Sequence, residues 1–140
     1  MRGSASAPGL SLRYYTFVHL FSGARREQDL EWYVTRLGGL VGIRVLVLNY
    51  DAAYGDAYDL SSVDVISHLV EEARRGRLSA GHGGPPCSTW TRALWIQNGG
   101  PSPYRSRDHP WGLPGLNKRK RARCQEGTNL LMFTVMIFQA

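Results

Sequence analysis

Three short apolar runs, residues 14–21, 43–48 and 78–82, alternate with two segments of helical period. Strand, helix, strand, helix, strand with short connections predicts a parallel sheet joined by right-handed crossovers. The first run is aromatic and β-branched without strict alternation, as in a strand covered on both faces. Leu30, Tyr33, Val34 and Leu37 then follow at i, i+3, i+4 and i+7, with Gly38-Gly39 as the expected stop. Ser61 is placed to cap a second helix with the stripe Ile66, Leu69, Val70 and Ala73, ending at Arg74-Arg75-Gly76.

In open parallel sheets, ligands bind beyond the carboxyl ends of the strands. Those ends carry Ser22-Gly23, Asp51 and Gly84-Pro85-Pro86-Cys87, so three chemically distinctive ends are expected on one rim. Gly23 before a helix N-terminus would let a ligand approach backbone N–H groups. Asp51 lies 28 residues on, where doubly wound folds place an acid on ribose hydroxyls; a plain turn carboxylate is the competing reading. Asp59 can meet an exocyclic amine or cap the following helix. Cys87 is either a nucleophile on a stiffened loop, with Arg92 or His82 favouring its thiolate, or a small buried apolar residue. Trp90 and Arg92 could stack on a base and pair with a phosphate.

The 140 residues bound the chain to one domain, and 43% hydrophobic residues with four tryptophans argue against disorder. Two cysteines without a CxxC pair exclude a disulfide scaffold or zinc cluster and suit a reducing, intracellular setting, nuclear or cytoplasmic. Neither a signal peptide nor a bilayer-spanning run is evident, so no membrane partner and no metal are expected. Residues 1–12 are small and polar and are expected to be disordered. From 99 to 127 glycine and proline predict a long basic loop, and 128–140 reads as a helix apolar nearly all round. The net charge of +6 gathers between Arg105 and Arg123. Arg105, Arg107, Lys118, Arg119, Lys120 and Arg121 are therefore either a solvated face or localisation signal, or a nucleic-acid contact.

His19-Leu20-Phe21-Ser22-Gly23, Asp51, Asp59-Leu60 and Gly84-Pro85-Pro86-Cys87-Ser88-Thr89-Trp90-Thr91 together resemble the first motifs of the C5-cytosine DNA methyltransferases, in order. Gly100-Pro101 through Arg105 and Trp111-Gly112-Leu113 resemble a divergent branch with a Gly-Pro-Pro-Cys-x-x-Trp loop. The resemblance implies an α/β, Rossmann-like S-adenosylmethionine-dependent methyltransferase fold over residues 13–98. Phe21, Ser22 and Gly23 would line the cofactor, Asp51 would take its ribose, and Asp59 with Leu60 its adenine. Cys87, held by Pro86, would attack C6 of a flipped cytosine in DNA. No glutamate–asparagine–valine motif or target-recognition region follows, so the resemblance implies an incomplete domain, inactive alone and requiring a missing C-terminal half. The alternatives are a non-catalytic nucleic-acid-binding remnant, of mobile-element origin, and methylation of an amine.

Overall fold

The computed structural model describes residues 14–95 and 102–140. The expectations for residues 1–12, for Gly100-Pro101 and for the side chain of Arg92 lie outside the described residues. The strands are β1 (Tyr14–Leu20), β2 (Arg44–Tyr50) and β3 (Ala80–Gly83); the helices are α1 (Leu30–Leu40), α2 (Val63–Arg74) and α3 (Lys118–Gln139). Short 3-10 turns occupy Ala52–Tyr54, Asp56–Tyr58 and Arg92–Trp95. The fold class is α/β: a three-stranded parallel sheet in the order β2-β1-β3. The chain steps from β1 to one side and then returns to the other, so β1 and β3 flank a switch point.

Val18 and Leu20 share one sheet face and are almost fully buried with Leu60, the α2 stripe Ile66, Leu69 and Val70, and Ile137 of α3. Ile66, Leu69 and Val70 of the expected α2 stripe are therefore the buried ones, and Ala73 is half-buried. The other face receives α1, where Gly38 is buried so tightly that a Cβ would stand 2.9 Å from both the Ile43 carbonyl oxygen and Val45 Cγ2. Close approach, not helix termination, explains Gly38. The helix runs through both glycines to Leu40, and Gly42, at φ +74°, makes the turn. Tyr33 and Leu37, expected to be buried, are exposed. So are Tyr14 and Tyr15, because β3 flanks β1 only from Phe17 to Leu20.

The largest correction concerns the basic run. Residues 118–127 are helix, not loop, because Asn117 accepts from the Lys120 N–H and the following Lys, Arg, Ala, Gln and Glu are good helix formers. In α3 the buried line is Cys124, Gly127, Thr134 and Ile137, while Met132, Val135, Met136 and Phe138 retain much exposure. Small residues face inward at two close approaches: Gly127 against Thr89, Arg105 and Trp90, and Thr134 against Gly83 of β3. Among the described residues, no helix is long and apolar enough to cross a membrane.

Candidate functional site

The parallel register sets the rim. Leu20 stands opposite both Tyr50 and Gly83, so Phe21, Asp51 and Gly84 leave the sheet at one level. Phe21 turns left-handed at φ +58°, unusual for a bulky residue, and its N–H reaches the Tyr50 carbonyl at 2.8 Å. Its ring packs against the core. Ser22 also donates its N–H to the Tyr50 carbonyl, at 3.4 Å. Gly23, at φ +67°, donates its N–H to Asp51 Oδ2 at 3.0 Å, and Tyr54 Oη donates to the Gly23 carbonyl at 2.8 Å. Asp51 Oδ1 accepts the Ala53 N–H at 2.9 Å. Asp51 thus clamps the ends of β1 and β2 while staying partly exposed, with lone pairs to spare. A Cβ at Gly23 would meet nothing within 4 Å, so there is open space above the turn.

Two expectations need revising here. The helix N-terminus does not follow Gly23. α1 begins at Leu30, where Asp29 accepts the Trp32 N–H at 3.0 Å, a bond that holds the Asp29 carboxyl below its ordinary range. Leu60, expected at an adenine, is only 3% exposed within the core. Asp59 accepts the Ser61 N–H at 2.8 Å, the capping-type role weighed against ligand contact. The cap of α2 itself falls to Ser62.

Beyond β3, the Gly84 N–H reaches back to the Leu20 carbonyl at 3.4 Å, tying the loop to β1. Pro86 and Cys87 are exposed. The Cys87 carbonyl accepts from Trp90 N–H at 2.8 Å and Thr91 N–H at 3.0 Å, so the thiol opens a hydrogen-bonded turn. Arg105 corrects the phosphate-contact expectation. It is 6% exposed and stacks 3.6 Å above the Trp90 ring, and its guanidinium is bonded internally to Thr89, Pro110, Cys124 and Thr128. Burial pulls its pKa down, yet an arginine so supplied with acceptors remains a cation. One face of Trp90 is therefore occupied. Trp90, Trp95, Arg105, Ser106, Arg107 and Pro110 line an open cavity of about 590 Å³. The exposed Trp95 was not anticipated; only its spacing five residues beyond Trp90 hinted at a second wall.

Asn49, His19 and His82 form a lateral row on the α1 face, one residue inside the rim. The histidine rings meet edge to face with centroids 5.4 Å apart. Asn49 Nδ2 donates to Glu31, and Arg25 bridges Glu31 and Asp29. Burial first, and His82 second, lower the His19 pKa against the opposing pull of Asn49, Asp29 and Asp51. The fold thus favours neutral His19. This contribution is complete above the ordinary histidine value of about 6.5 and is lost as pH falls through the lower folded value. Denaturant titrations from about pH 7.5 to about pH 5 should show falling stability, with a shallower fall in His19→Gln. Equal slopes would remove His19 as the cause.

Lys118, Arg119 and Arg121 are exposed on the first turn of α3, while Lys120 is half-buried, bonded to Ser102 and 5.8 Å from the Tyr104 ring centroid. No protein-family model, curated protein or solved structure matches the chain.

Proposed function

We propose that this chain carries the cofactor- and thiol-bearing part of a Rossmann-like, C5-cytosine methyltransferase-like domain acting on DNA. The observation that supports this reading most directly is the exposed Cys87 in the loop that leaves β3 beside the switch point, a loop whose Gly84 N–H bonds the end of β1 and which departs at the level where Asp51 leaves β2. Gly23 and Asp51 fit the adenosyl ligand: the turn has open space above it, and the carboxylate keeps acceptor capacity. S-adenosylmethionine supplies the methyl group when bound. Cys87 Sγ adds to C6 of a cytosine taken out of the stack, and the C5–C6 electron pair makes C5 nucleophilic; later loss of the C5 proton and the thiolate restores the ring. Pro86 restricts the loop that presents the sulfur.

DNA containing 5-fluorocytosine, incubated with the chain and S-adenosylmethionine, should give a covalent adduct that disappears in Cys87→Ser. Calorimetry with S-adenosylhomocysteine should show binding that Asp51→Ala removes.

A second reading, a non-catalytic nucleic-acid-binding remnant, is favoured by one observation. Lys118, Arg119 and Arg121 occupy the end of α3 where the helix dipole repels cations, by about 0.3–1 kcal/mol each, and polyanionic phosphates would relieve that. Salt-sensitive DNA binding with neither adduct nor nucleoside binding would select it.

A further inference from the structure

We infer that His19 and His82 form a two-imidazole site for a divalent transition-metal ion, with Zn²⁺ or Ni²⁺ as the fitting class, positioned by Asn49 and Glu31. The two histidines are direct partners on adjacent parallel strands, so both side chains leave the same sheet face. Two imidazoles sharing a tetrahedral Zn²⁺, with Zn–N near 2.0–2.1 Å, would hold their ring centres ~5.2 Å apart. The observed separation is 5.4 Å. His82 is exposed and His19 half-buried, and the 63° between their planes is what reorientation about the side-chain torsions would have to change.

The surroundings supply the orientation that a metal-bound histidine needs. Asn49 stands directly opposite His19 in the register and spends its Nδ2 on the Glu31 carboxylate, so its Oδ1 is the atom left to accept an imidazole N–H. A His19 N–H given to that oxygen would leave the other ring nitrogen's lone pair for the ion. Asp29 and Asp51 add negative charge near His19, partly offset by Arg25 on Asp29 and Glu31. Imidazole nitrogens without an oxygen cage suit Zn²⁺, Ni²⁺ or Cu²⁺ rather than Mg²⁺ or Ca²⁺. Among the described residues no third His, Cys, Asp or Glu completes a cluster, so water fills the remaining positions. This departs from the metal-free expectation. No short motif marks the pair, because His19 and His82 lie 63 positions apart in the chain.

The same separation suits a plain edge-to-face ring contact, and titration distinguishes the two. Zn²⁺ added as the chloride to the untagged full chain should bind once per chain by calorimetry. His82→Asn, a change at an exposed edge position that does not threaten folding, should weaken binding at least tenfold. His68→Asn and His109→Asn should leave it unchanged. Asn49→Leu should weaken it about 10–100-fold by releasing the His19 tautomer. Absence of binding to the wild-type chain overturns the inference, as does binding that survives His82→Asn. Binding lost only in Cys87→Ser assigns the ion to the thiol and overturns it equally.

Discussion

Arg105→Met is expected to lower the unfolding free energy by about 2–4 kcal/mol and to loosen the first half of α3. The guanidinium donates to Thr89 Oγ1 at 3.2 Å, the Pro110 carbonyl at 2.8 Å, Thr128 Oγ1 at 3.1 Å and the Cys124 carbonyl at 2.5 Å. One side chain therefore ties the turn after Cys87, the segment from 102 to 113 and α3. Methionine keeps much of the stem's packing but removes the donors to the buried Thr89 hydroxyl and the Pro110 carbonyl, whereas the Cys124 carbonyl keeps the Thr128 hydroxyl at 3.0 Å; the acceptors that lose their partner set the magnitude. Arg105→Lys should recover little, because one ammonium cannot span four acceptors on three segments. Denaturant unfolding followed by tryptophan fluorescence checks both variants. A loss below about 0.5 kcal/mol would show that the bonds are replaced by water at no net cost.

Gly81→Val is expected to cost about 1–3 kcal/mol through overpacking. A Cβ at this position would stand 2.6 Å from Phe138 Cε1, 2.8 Å from Val18 Cγ1 and 3.1 Å from the Val18 carbonyl oxygen. Phe138 can swing away, since it is half-exposed near the end of α3, but Val18 sits in the core and cannot. Phe138→Ala in the same chain should therefore relieve part of the loss, and the two changes should combine non-additively. Simple additivity in thermal unfolding would show that α3 does not press on β3 at this point. Gly83, where a Cβ would lie 2.8 Å from Thr134 Cγ2, belongs to the same close contact.

Much of the architecture was legible because it rests on local periodicity. The stripe Ile66, Leu69, Val70 identified α2 and its buried face, and the alternation of apolar runs identified a parallel sheet. The three polar strand ends were legible for the same reason, since parallel strands deliver like ends to one rim. The run 118–123 misled because charge density was read as loop, whereas Lys and Arg are good helix formers once Asn117 caps them. Arg105 misled because nothing in a basic segment marks which arginine finds carbonyl partners indoors.

Composition and order along the chain determined the class of fold, the buried face of α2 and the level at which Asp51 and Gly84 leave the sheet, since each follows from side-chain period and strand direction. Only the tertiary structure decided that Arg105 is an internal tie, that Gly38 and Gly81 are points of close approach, and that His19 faces His82. Those outcomes depend on contacts between residues far apart in sequence, which no local pattern encodes.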